Sequence, residues 1–179
     1  MDLDRIDLDI LAALQNNARL ANKELAAKVG LAPSSCLQRV RALTREGVLR
    51  GHHAQVTASA VGIGLEALVA VRLFRHSRDA FRTLYRHLLS LPEVLAVFHV
   101  SGVNDLQVHV AVRGIEHLRE LVVEHFAARS EVDHCETAVI FELQRKHELP
   151  CYLKDAAAPR ATAAGSRATA RRPRARSRR

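Results

Sequence analysis

The sequence predicts an α+β protein with two folded parts and a basic tail, and three observations carry that prediction. In the first 50 positions apolar residues recur at intervals of three and four, the mark of helices with one buried stripe. From Leu65 to Glu142 the pattern alternates between strand-like and helical spacing, so strands and helices are interleaved. After about Leu153 the chain is Ala, Arg, Pro, Ser and Thr with no apolar period, a composition expected to be disordered.

The elements follow in order. Leu3, Ile6, Ile10, Leu11 and Leu14 form the stripe of a first helix, with Asp4 placed to accept the free amides of its first turn. A short second helix, with Asn22 as its expected cap, turns Leu25, Ala26 and Val29 inward and ends at Gly30. Only Leu31 and Ala32 then precede Pro33, which suits the first turn of a third helix running to about Glu46. Cys36, Leu37, Val40 and Leu43 are its expected inward positions. Val48–Arg50 reads as a short strand returning through Gln55 and Val56, followed by a linker broken at Gly62 and Gly64. Strand signals at Leu65–Phe74, Val94–Val100, Leu106–Val112 and Cys135–Leu143 alternate with helices at Ser77–Ser90 and around Ile115–Phe126. That order, βαββαβ with a hairpin at its centre, is the ferredoxin-like arrangement. The expected domains are therefore 1–50, a wing or hinge linker at 51–64, a ferredoxin-like domain at 65–150 and the tail at 154–179.

Charge distribution is more informative than total charge. The 179 residues carry a formal +8, but residues 156–179 hold eight arginines and no acid. The remaining 155 residues hold 19 basic and 19 acidic side chains, so the basicity belongs to the tail. No apolar run reaches the ~20 residues of a membrane span, and four charges interrupt Leu3–Ile10, against a secretory signal. Three scattered cysteines (Cys36, Cys135, Cys151) do not make a disulfide framework, so a reduced cytoplasmic protein is expected. With aromatics at 4% and no tryptophan, a stacking platform for single-stranded nucleic acid is not expected.

The two-residue connection into the third helix is the feature that carries function. Two helices joined by a tight, glycine-containing turn form a helix-turn-helix, whose second helix lies in the DNA major groove. Such a helix must expose hydrogen-bonding side chains near its N-terminus and cations further along. Ser34, Ser35, Gln38 and Arg39 take the early positions, followed by Arg41 and Arg45. Gln can bond adenine N6/N7 and Arg guanine O6/N7. Ala32 stands where a side-chain cap is expected, a loss of about 1 kcal/mol. The competing reading of the same pattern is a plain three-helix bundle with a solvated basic face.

LDRIDLDILAALQNNARLANKELAAKVGLAPSSCLQRVRALTREGVLR (3–50) resembles the DNA-binding half of the leucine- and asparagine-responsive regulators, the Lrp/AsnC family. LPEVLAVFHVSGVNDLQVHV (91–110) resembles part of that family's effector domain. The resemblance spans about residues 2–150 and implies a winged helix-turn-helix joined to a ferredoxin-like domain. It also implies regulation of amino-acid metabolism, dimers through the sheet, higher oligomers and a small-molecule site between dimers. The family shows a glycine, an acid, an aromatic and an Asp in the hairpin after its second strand. Here those positions read Gly102, Val103, Asn104 and Asp105, so two match. The resemblance thus implies an effector site at Ser101, Gly102, Val103, Asn104 and Asp105 with Thr137, Asp105 accepting an α-ammonium. The same residues also suit a simple hairpin turn.

Other chemistries find less support. Adjacent His52 and His53 do not share a strand face, and His117 and His125 are too far apart for an i, i+4 ligand pair. No metal motif, phosphate loop or nucleophile elbow occurs, so neither metal nor cofactor is expected. Two alternatives stay open beside a sequence-specific regulator. One is an enzyme like the sirohaem decarboxylases, which share the architecture, through His52, His53 and His99. The other is a non-specific nucleoid binder favoured by the arginine tail.

Overall fold

The computed structural model describes residues 2–74 and 78–153 and resolves two compact units. The expected arginine-rich tail at 154–179 lies outside the described residues. One unit comprises the chain up to His52 together with the segment from Lys146; the other runs from His53 to Arg145.

In the first unit three helices surround one apolar core. Helix α1 (Arg5–Asn16) starts at Asp4, whose carboxylate accepts from the Asp7 N–H at 2.9 Å while Asp7 reaches back to the Asp4 N–H at 3.2 Å. This reciprocal box satisfies two amides that the helix cannot. Helix α2 (Asn22–Lys28) begins one residue earlier than expected. Ala21 holds the cap position, so Asn22 does not cap; its amide instead donates to the Pro33 carbonyl at 2.8 Å, tying α2 to the next helix. Gly30, at φ +70°, takes the left-handed conformation that ends α2, and the Leu31 N–H closes back on the Ala26 carbonyl at 2.9 Å. Helix α3 (Pro33–Arg45) follows at once. Ile10 and Leu14 of α1, Leu25 and Ala26 of α2 and Cys36 and Leu43 of α3 form the buried core. Within this unit the Leu149 N–H also donates to Gln15 Oε1 at 2.8 Å.

The segment after α3 differs from expectation. Residues 48–56 contain no paired strands. The Leu49 N–H bonds to the Leu43 carbonyl and Leu49 packs on the core, which turns the chain inward where a ladder would need it extended. A two-stranded ribbon alone is marginal in water, so nothing compensates for that turn. A short 3₁₀ turn (Ala58–Val61) then leads to the second unit's sheet.

Four antiparallel strands make that sheet: β1 (Leu65–Leu73), β2 (Val94–His99), β3 (Leu106–Val112) and β4 (Val132–Ile140), ordered β2-β3-β1-β4. Helices α4 (Arg78–Ser90) and α5 (Ile115–Val122), the latter continued by a π-helical turn over Val123–Ala127, provide the packing layer. Strand alternation sends Ala67, Val69, Val71 and Leu73 of β1 and Leu106, Val108, Val110 and Val112 of β3 into a core with Leu84, Leu88, Leu118, Leu121 and Phe126. The central pair is buried and the outer strands are half-exposed, as the ferredoxin-like order requires. Strand β4 begins three residues before its expected start and ends at Ile140 instead of Leu143. The β1–β4 ladder ends at the Glu66–Ile140 pair, one residue short of the start of β1, and Phe141 beyond it is 98% exposed.

Between α4 and the π-helical turn, His87 and His125 meet with ring centroids 5.5 Å apart. Burial holds the His87 pKa below its usual 6.5, and the nearby Arg129 and His125 charges lower it further, while Glu131 acts weakly the other way. As pH falls below the ordinary histidine value, the unfolded chain takes up a proton that folded His87 resists. Stability is therefore present above about pH 6.5 and is lost as pH drops toward the lower folded value. Denaturant midpoints compared between pH 7.5 and 5.5 are expected to fall less in His87→Leu than in the parent chain.

Candidate nucleic-acid interface and effector loop

Helix α3 divides into two faces. Cys36, Val40 and Leu43, spaced by four and three, meet the core, and burial pushes the Cys36 thiol up. Ser34, Gln38, Arg41 and Arg45 repeat the same spacing on the opposite side and are all exposed. Ser35, also exposed, flanks this stripe. Leu37, expected to face inward, is 37% exposed and joins the outer face. The signal was in the spacing, since Leu37 falls off the Cys36–Val40–Leu43 register. Ala32 makes no side-chain cap, so the amides of Ser34 and Ser35 at the helix start have no such acceptor. Arg45 Nε donates to Glu46 Oε1 at 3.2 Å in an exposed pair, which water screens strongly.

Arg39 is placed differently from the other cations of α3. Its Nη1 donates to Asp4 Oδ2 at 2.7 Å and to Asp7 Oδ1 at 2.8 Å, the two carboxylates that also cap α1. The Asp7 side chain is 4% exposed. The Asp4 carboxyl is held below its usual range, first by the Asp7 backbone N–H and then by Arg39, while the two carboxylates hold the Arg39 pKa up. Sequence reasoning missed this network, although one signal existed. Asp7 sits at the i+4 position from Leu3 and three before Ile10, on the buried stripe of α1, where an acid must find a partner.

The β2–β3 hairpin lies at the rim of the second unit. Ser101, Gly102 and Val103 are exposed, Val103 at 79%, and Asn104 and Asp105 are half-buried. Gly102 adopts φ +132°, a conformation that L side chains rarely take, and a Cβ there would meet nothing within 4 Å. Its glycine serves the turn rather than a close backbone approach within this chain. Asp105 secures the loop to the sheet. Its Oδ2 accepts from the Leu73 N–H at 2.7 Å, its own N–H donates to the Val71 carbonyl, and its carbonyl accepts from Val100. Thr137 pairs with Val69 on β4, exposed, so β1 separates it from the hairpin. The single chain therefore does not gather Thr137 and the loop into one pocket. Two recesses of this unit lie elsewhere: along α4 beside Phe81, Arg82 and Tyr85, and between the 3₁₀ turn and the end of β4.

Among the described residues no group of three or more His, Cys, Asp or Glu is arranged to hold a metal, and no helix is long and apolar enough to cross a membrane. His52 and His53 are exposed, and His99 tilts against Phe81 with centroids 4.5 Å apart.

Comparison with known proteins places both units. Residues 3–50 match the winged helix-turn-helix DNA-binding model and residues 66–148 the Lrp/AsnC ligand binding domain. The chain is 43% identical over 141 residues to the HTH-type transcriptional regulator AldR of Mycolicibacterium smegmatis, covering 79% of this chain and 82% of that one. It is 34% identical to the leucine-responsive regulatory protein of Escherichia coli K12, covering 79% and 86%. A transcriptional regulator from Neisseria meningitidis, solved as an L-Met complex, superposes with a TM-score of 0.77 at 29% identity, covering 83% of this chain and 97% of that one. With a helix-turn-helix whose second helix exposes a polar and cationic stripe, followed in the sequence by a ligand-binding domain, the chain belongs to the Lrp/AsnC family of DNA-binding transcriptional regulators.

Proposed function

We propose that this protein is a sequence-specific regulator of amino-acid metabolism that inserts α3 into the DNA major groove and responds to an amino-acid-like effector. The exposed stripe Ser34, Gln38, Arg41 and Arg45 is the observation that carries the DNA reading. Gln38 is suited to read an adenine edge, and Arg41 and Arg45 meet phosphates or a guanine. Ser34 and Ser35, at the helix start, serve a phosphate through hydroxyl and amide donors. The curated relatives are transcriptional regulators, which favours this reading over a tetrapyrrole-processing enzyme, and regulators of DNA act where the chromosome is, in the cytoplasm.

The effector part rests on the hairpin and on the L-Met complex of the Neisseria relative. Asp105, whose Oδ2 accepts from the Leu73 N–H, is the carboxylate we assign to the effector ammonium. The loop is too open to enclose a ligand alone, and a second copy supplies the missing walls. Pairing of copies uses the sheet face opposite the helices, which carries Leu68, Ala70, Ala96, Phe98, Ala138 and Ile140 around the His109–Glu66 pair at 2.7 Å. Phe98 is 49% exposed in the single chain. Dimers then join into higher oligomers.

Three measurements test these assignments. In quantitative gel shifts, Gln38→Ala is expected to relax base preference and cost about 1–3 kcal/mol, and Arg45→Ala to weaken all sequences alike; unchanged preference in Gln38→Ala defeats the docking. A steep salt slope with little discrimination between sequences would favour the nucleoid-binder alternative. For the effector, calorimetry against the twenty amino acids is expected to find a ligand whose affinity falls by about 1.5–3 kcal/mol in Asp105→Asn. That substitution keeps an acceptor for Leu73 but removes the charge. Equal affinity would place the site elsewhere. Phe98→Glu is expected to yield monomers by sedimentation, whereas an unchanged mass would exclude that sheet face as the interface.

A further inference from the structure

We infer that Arg39 is a positioning residue, which fixes the rotation of α3 through the first turn of α1 and touches neither base nor phosphate. The inference rests on the docking of α3 proposed above. Successive helical residues advance by about 100°, so Arg39 lies about a quarter-turn from Gln38, between the outer stripe and the core face. Its Nη1 bridges Asp4 and Asp7 at 2.7 and 2.8 Å. Those carboxylates are themselves oriented by the α1 capping box, at 2.9 and 3.2 Å. The network thus joins the capped first turn of one helix to the middle of another.

Two physical arguments make this a positioning device. The contacts of Ile10 and Leu14 with Cys36 and Leu43 are apolar, and apolar attraction has no direction. It holds α3 against α1 without choosing which side chains face outward. Charge-assisted hydrogen bonds are directional, and one cation shared by two fixed carboxylates selects a rotation. The second argument is cost. For Arg39 to reach a phosphate it would have to leave Asp7, whose side chain is 4% exposed, stranding a buried charge. Ser34, Ser35, Gln38, Arg41 and Arg45 are exposed on α3 and could meet DNA without such a penalty.

The two roles make opposite predictions for Asp7→Asn. If Arg39 reads DNA, removing its competitor releases a cation, and the loss of a negative charge also favours DNA. If Arg39 positions α3, binding weakens although Asp7 is buried. The test titrates a duplex selected by the wild-type full-length chain with the wild type, Arg39→Met, Arg39→Lys, Asp7→Asn and the Arg39→Met/Asp7→Asn pair, with folding checked by circular dichroism. Arg39→Met and Asp7→Asn are each expected to weaken binding about tenfold, with the double variant no worse than either and Arg39→Lys recovering part. The order of preferred sequences and the slope of log affinity against log salt stay unchanged. Stronger or unaltered binding by Asp7→Asn overturns the inference. So does a slope shallower by about 0.9 in Arg39→Met, which marks a lost phosphate contact, or loss of preference at one base. Should Asp7→Asn fail to fold, Arg39→Met decides: weaker binding with wild-type salt slope and sequence order supports positioning, and a shallower slope or an altered order defeats it. Failure of the docking itself would appear separately, as unchanged base preference in Gln38→Ala.

Discussion

A carboxylate on the buried side of α1 organises the DNA-binding unit. Asp7 occupies a stripe otherwise made of Leu3, Ile6, Ile10 and Leu14, and an isolated charge there would be costly. Two things compensate it: the amide of Asp4 and the guanidinium of Arg39. Both partners are supplied by elements that must then be in place, the N-terminal cap of α1 and the middle turn of α3. The capped start of α1 and the middle turn of α3 thus meet at one satisfied charge.

The second unit is governed by a different constraint, the strict alternation of its central strands. In β1 and β3 every second residue enters a core shared with α4, α5 and Phe126. The remaining residues must face the other side, where Leu68, Ala70 and Ala96 make a surface more apolar than a solvated sheet needs. Asp105 links this sheet to the exposed hairpin by accepting from Leu73. Coupling between that loop and DNA affinity must be reciprocal wherever it exists.

The positions legible in advance are those set by local rules. Asp4 as a cap, Gly30 as a helix stop and Pro33 as a helix start depend on a residue and its immediate neighbours, and each is found so. The β3 alternation from Leu106 to Val112 is read at its observed bounds because both faces of a central strand are determined by its own pattern. Misplacements occur where a distant partner decides. Strand β4 pairs with β1 only as far as Ile140, opposite Glu66, and Phe141 beyond it is left exposed although its composition suits a strand. The strands expected over 48–56 do not pair because Leu49 is drawn onto the helical core.

The sequence by itself determined the element order, the helix-turn-helix spacing, the polar and cationic stripe of α3 and the confinement of excess charge to the last residues. Each of these is written in composition or in a period of two or about 3.6 residues. Only the tertiary structure decided the employment of the charged side chains. Arg39 and Asp7 are 32 positions apart, and Asp105 and Leu73 are also separated by 32. No local pattern reports such distances, because the free energy that selects these pairs arises only when folding removes water from them.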